Sequence, residues 1–261
     1  MGYAAIAFLG LLITTILLSM LLGVAGVALV QRLIPVQRRK PHNSAIGILY
    51  GGLYVLFGVI VGFTAFLVMN KYNTARTTVE NEAADVARIY QLAQQYPESK
   101  REEIQGLAAS YARAVVEEEW PLMRRGQSSP RAQALANELR SVVQEFRPAT
   151  TAEQVIYTHE LDAVNDLDES RATRLLDLRQ GLPPILWIAL GGLSITMLLF
   201  ACLVGMEDTR LHMLGVSVLA AGVTLVLFTV GVLDRPFGTE FRVGPQPFEL
   251  VVQEIEGTGQ R

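Results

Sequence analysis

Arg171 and Arg174 stand three residues apart in the stretch DESRATRL, so a helix carries both guanidinium groups on one face. Such a pair can hold carboxylates or inorganic anions through charge-assisted hydrogen bonds. Two arrangements follow: ion pairs with nearby acids such as Asp168, or a vestibule that attracts anions. Glu117, Glu118 and Glu119, in VEEEW, form an acidic run that reads as a solvated helix face. His42, His159 and His212 are too far apart to suggest a ligand set, and His159, within a helical apolar pattern, reads as a packed core residue. The one cysteine, Cys202, has no disulfide partner and reads as a small buried hydrophobe. No Cys/His spacing suits zinc, so neither a metal nor a cofactor is expected. Dinucleotide and phosphate-loop fingerprints, the Gly-x-Ser-x-Gly elbow and the His-Glu-x-x-His pair are all missing, which argues against an enzyme. A net charge of -3 gives no reason to expect a nucleic-acid partner.

A second group of residues is apolar. In LYVLFGVIVGFTAFLVMNKYN, Val55, Val59 and Phe63 recur at i, i+4 and i+8 and share one helix face. Gly51, Gly58 and Gly62 lie on a nearby face, where small residues let helices pack closely. From spacing alone, such a stripe faces lipid or a neighbouring helix. Lys71 follows at the end of the apolar run, where a lysine can snorkel to the interface.

The elements that must position these residues follow from charge segregation. Apolar residues make up 51% of the chain and charged ones 18%. Four stretches, 4–30, 44–69, 184–205 and 211–232, hold almost no charge, and each is long enough to cross roughly 30 Å of hydrocarbon as a helix of about 20 residues. The first lacks the basic leader of a signal peptide and is about twice the usual length of its apolar region, so it reads as a membrane helix. The expected fold is all-α: a polytopic membrane protein with four transmembrane helices and a helical-bundle domain inserted between helices two and three. The expected divisions are 1–70, with helices one and two; 71–182, the soluble bundle; 183–233, with helices three and four; and 234–261, a C-terminal turn and tail. Within the bundle, helices are expected over 72–96, 99–123, 129–146 and 151–181. Ser99 with Glu102 and Thr150 with Glu153 suggest capping boxes, and Ser129 before Pro130 suggests an N-cap. The last membrane helix runs into LDRPFGTEF. There Asp234 and Arg235 leave hydrocarbon, Pro236 ends the helix and Gly238 permits a reversal beside Phe237.

The stretch VGFTAFLVMNKYN resembles the pore-lining helix of bestrophins, and DRPFGTEF followed by PFELVVQEIE resembles the turn and short helix after their last membrane helix. The order of elements agrees along nearly the whole chain. HN (His42, Asn43), EEW and DESRATRL before LPPILW bring the sequence nearest to the bestrophin-like membrane proteins, while direct motif identity covers about a fifth of it. This resemblance implies a homo-oligomer, a pentamer, in the lipid bilayer, conducting inorganic anions such as chloride. Its pore neck would be formed by rings of Val55, Val59 and Phe63, with Gly51, Gly58 and Gly62 packing the pore helix. Two of the three rings are smaller than is usual in bestrophins. Lys71, near the neck, would draw anions toward the pore. The calcium-binding acidic run of animal bestrophins is replaced here by Thr239–Val243 with one carboxylate, too few oxygens for that ion.

Sidedness is contested within the sequence. Arg32, Arg38, Arg39 and Lys40 lie between helices one and two with no acid, which favours a cytoplasmic loop there. The resemblance favours a cytoplasmic helical domain in a plasma membrane, specifically a bacterial inner membrane, and basic residues divide nearly evenly between the sides. The competing function is a membrane sensor or scaffold whose helical bundle binds a ligand or partner.

Overall fold

The computed structural model describes residues 3–178, 180–238 and 243–258. The described residues are helical and without strands, and four helices are long and apolar enough to cross a membrane. They fall into two compact units: Met1–Asn70 with Leu182–Asp234, and Lys71–Gly181 with Arg235–Arg261.

The first unit holds α1 (Tyr3–Leu33), the short α2 (Val36–Arg39), the first part of α3 (Asn43–Leu92), α8 (Pro184–Leu203) and α9 (Thr209–Leu233). Its interior is built in three layers. Val27, Ala201, Cys202 and Val216 form one; Phe57, Met197 and Val223 the next; Val68, Leu190 and Val230 the third. Val216, Val223 and Val230 are seven residues apart, two turns of helix, so α9 presents one unbroken seam. Lipid is as apolar as leucine, so association here depends on close packing, which small residues permit. At Gly26, a Cβ would lie 3.1 Å from Cys202 Sγ, and at Gly23 3.4 Å from Val216.

Asn43 ties one end of this unit together. Its side chain donates to Gly205 O at 3.0 Å and accepts from Gly205 N at 2.8 Å. Arg39 is buried, its Nε donating to Ile34 O and its Nη1 to Cys202 O and Val204 O, each at 3.0 Å. A Cβ on Gly205 would stand 2.7 Å from Lys40 N, a contact with backbone that cannot swing aside. Gly205→Ala is therefore expected to destabilise the unit by about 1–3 kcal/mol, read as a lowered thermal midpoint.

The second unit holds the rest of α3, then α4 (Glu98–Ala114), a π-helical turn (Val115–Glu119), α5 (Trp120–Met123), α6 (Pro130–Glu145), α7 (Thr151–Asp177) and α10 (Gln246–Thr258). Ser129 Oγ accepts from Ala132 N at 3.2 Å to cap α6, and Thr150 Oγ1 accepts from Glu153 N at 3.1 Å to cap α7. Ser99 makes no cap: α4 starts one residue earlier, after Pro97. The expected helix over 72–96 is the continuation of α3, which ends in a 3-10 turn at Ala93–Gln95. The single helix expected over 99–123 is interrupted by the π turn.

The core draws Val79, Val86 and Ile89 from α3, Ile104 and Tyr111 from α4, Leu139 from α6 and Leu167 from α7. Phe237, Val243, Phe248 and Val251, from the C-terminal segment, are buried in the same core. Trp120 organises this end: its ring meets Phe237 edge-on at 6.3 Å and Phe248 at 6.0 Å, and its Nε1 donates to Val243 O at 3.3 Å. Phe237 and Phe248 thus pin the stretch after α9 to the bundle by aromatic burial.

Candidate functional site

The first part of α3 has two unlike faces. Phe57 and Val68 are buried against α8 and α9 through the layers already described, and Thr64 between them is buried too. At about 100° per residue, Ile48, Val55, Val59 and Phe66 fall within about 20° of a line on the opposite side, with Phe63 about 60° from it. This opposite face is bare within the chain: Val55 is 66% exposed, Val59 64% and Phe63 58%. Exposed apolar residues also occur on α1 and α8, as lipid contact requires. The bare face of α3 also carries several glycines, and open glycines occur on α1 at Gly10 and on α8 at Gly191 and Gly192 as well. A Cβ on Gly51, Gly52, Gly58 or Gly62 would meet nothing within 4 Å. Val55, Val59, Phe63 and the three glycines picked from sequence therefore lie on surface that this chain leaves uncovered.

The remaining sequence candidates have partners. Lys71 donates to Gln180 O and acts on the Asp177 carboxyl, which burial raises and Lys71 partly lowers. Its charge is thus shared with the end of α7. Asp234, at the end of α9, is buried, and its Oδ1 accepts from Leu182 N at 2.6 Å. The turn after it closes through Gly238 N donating to Arg235 O at 3.2 Å and Val243 N to Pro236 O at 2.7 Å. Gly238 itself is not left-handed: among the described residues only Gly126 has a positive φ, 73°. The calcium question falls on Thr239–Arg242, outside the described residues. Among the described residues no group of His, Cys, Asp and Glu could hold a metal ion.

In the second unit the structure joins charges that sequence spacing leaves apart. Arg174 is fully buried, with Nε donating to Glu82 Oε2 at 2.5 Å and Nη2 to Glu82 Oε1 at 2.8 Å and Glu119 Oε2 at 2.9 Å. Arg171 grips Glu119 with both Nη atoms, at 2.7 and 2.8 Å, and donates to Tyr111 Oη at 3.1 Å. Tyr111 donates to Glu82 Oε1 at 2.5 Å. Asp168, the partner expected from spacing, instead pairs with Arg140 of α6. Glu119, read from sequence as part of a solvated face, is fully buried. The π turn ends on this residue, and one extra residue per turn shifts a side chain off the ordinary helical register. Burial pushes the Glu119 carboxyl up, and the two guanidinium groups overrule it, holding it below the usual carboxylate range. For Arg174, burial opposes the charge and Glu82 restores it, so the guanidinium is held firmly ionised. Two acids and two bases, bridged bidentately, make a neutral internal brace with no charge turned toward solvent. His159, expected in the core, is exposed, and its neighbour Glu160 is the buried residue.

Comparison with known proteins agrees with this architecture. No curated protein matches the chain. A bacterial bestrophin homologue from Klebsiella pneumoniae, solved by Zn-SAD phasing, superposes with a TM-score of 0.69 at 12% identity, covering 95% of this chain and 99% of that one. A point mutant of a bestrophin homologue from the same organism gives 0.71 at 10% identity, covering 95% and 100%. At such identities the likeness is one of fold. The sequence model of the Bestrophin-like domain matches residues 17–248, nearly the full length, and the chain belongs to the Bestrophin-like family.

Proposed function

We propose that this protein is an oligomeric ion channel of the bestrophin kind that conducts inorganic anions, chloride among them, with α3 from each of five copies lining the pore. The observation that carries the reading is the bare, glycine-bearing face of α3, set directly opposite the face that packs on α8 and α9. Family membership supports the channel class. Brought to a common axis, Val55, Val59 and Phe63 form three apolar rings in which permeation is controlled by dewetting rather than by fixed charge. Phenyl edges carry the positive end of the ring quadrupole and favour anions over cations. Gly51, Gly58 and Gly62 let adjacent copies of α3 approach closely. Lys71, already shared with the end of α7, makes a smaller contribution to anion attraction. On this reading the helical unit lies in the cytoplasm of a bacterial cell and the four helices lie in the inner membrane, an arrangement that the family resemblance supports.

Disulfide crosslinking tests the packing. With Cys202→Ala as background, Val59→Cys is expected to crosslink neighbouring copies on mild oxidation, and native mass measurement to give five chains. A control cysteine at Leu21, on α1, is expected to crosslink poorly. Crosslinking at Leu21 with none at Val59 would remove α3 from the axis.

A further inference from the structure

Glu160 lies in the first half of α7 with none of its surface exposed, and neither carboxyl oxygen has a hydrogen-bond partner. Tyr96, at the end of the 3-10 turn that follows α3, has its hydroxyl buried and unpartnered too. The Tyr96 ring packs on Phe146 at 4.6 Å, and Phe146 on Tyr157 at 6.3 Å. One aromatic cluster thus joins the ends of α3 and α6 to the start of α7, and Glu160 is close enough for its charge to act on Tyr96. Arg88 is the cation that faces it from α3, but Arg88 pairs with Asp166 at 3.4 Å. From α6, Arg140 is engaged with Asp168. An ionised carboxylate so enclosed is strongly disfavoured. Burial pushes Glu160 up to about 8, and Arg88 draws it only partly back, so the group is a neutral acid at pH 7.

Further along α7 the same seam widens. A cavity of about 410 Å³ is lined by Asp85 from α3 and by Asp166 and Glu169 from α7. Asp85 is pushed up to about 6 by burial and then by Asp166, with Ser170 and Arg88 opposing and Glu82 adding slightly. The seam therefore has a sealed end at Glu160 and an open end where water and charge can reach.

We propose that the α3–α7 seam is a proton-operated latch, closed while Glu160 is neutral and opening locally when that carboxyl loses its proton. The closed state holds a proton that the open state, with an ordinary carboxyl, releases. Its advantage is complete below the ordinary glutamate value, declines as pH rises, and is gone by about 8. Over that window each pH unit multiplies the local opening constant by about ten. The latch stands on the packing of the helical unit and does not depend on permeation.

Hydrogen–deuterium exchange of the full-length protein in lipid nanodiscs, at pH 6, 7 and 8 and corrected for intrinsic rates, tests it. Peptides covering 151–160 are expected to lose about tenfold protection per pH unit, while those covering 104–112 stay level. Glu160→Gln removes the proton and should flatten the trend, as should Glu160→Met, which also removes the polar group. Flat protection over 151–160 in the wild-type protein, or an unchanged slope in a folded variant, would overturn the proposal.

Discussion

Arg174→Met is expected to cost the helical unit about 3–5 kcal/mol, because it leaves the buried Glu82 carboxylate without a cationic partner. Glu82 loses both of its guanidinium contacts and keeps only the Tyr111 hydroxyl, while Glu119 retains Arg171. The loss comes chiefly from stranding Glu82 and much less from removing attraction. Adding Glu82→Gln to Arg174→Met should therefore recover a good part of it, a result that simple loss of packing volume does not give. Thermal or denaturant unfolding of the two variants checks both statements. The same brace sets an acid limit. Glu119 is held below its ordinary carboxylate value, so its contribution is present above that value and is lost as pH falls through the depressed one.

Phe63→Ala is expected to raise ion flux about fivefold and to weaken discrimination among ions. Removing a ring of phenyl groups widens the constriction and lowers the cost of wetting it, and a barrier change of about 1 kcal/mol corresponds to about that factor. Fold stability should change little, since Phe63 is 58% exposed within its own chain. A residue packed dry between helices would behave the other way, with a stability loss of about 3–5 kcal/mol. Measuring flux and thermal midpoint on the same preparation separates the two cases. A Phe63→Ala protein with normal flux and a sharply lowered midpoint would move the neck elsewhere.

What the sequence made legible was whatever depends on local pattern. Hydropathy marked the four membrane helices because each spans hydrocarbon alone, and Ser129 and Thr150 announced the starts of α6 and α7 because capping is read within three residues. The bare stripe of α3 was visible as a periodicity, though not which of its faces would be covered. Long-range electrostatics stayed hidden. Arg174 finds Glu82 92 residues away, and a run of three glutamates gives no sign that the third is turned inward. The π turn that places Glu119 has no signature in composition. Glu160 and His159 exchanged roles for a similar reason: neighbouring positions on a helix point about 100° apart, and the weakly amphipathic pattern of α7 did not fix its orientation. Ser99 missed its capping role because Pro97 starts α4 earlier.

Ion flux from liposomes carrying the purified protein, driven in turn by chloride and by potassium gradients, tests the central claim most directly. Flux is expected in both the wild-type protein and Phe63→Ala, faster in the variant, with chloride well ahead of potassium in the wild type. Potassium ahead of chloride would keep a pore and contradict its anion preference. No flux from a well-folded oligomer would contradict the channel itself.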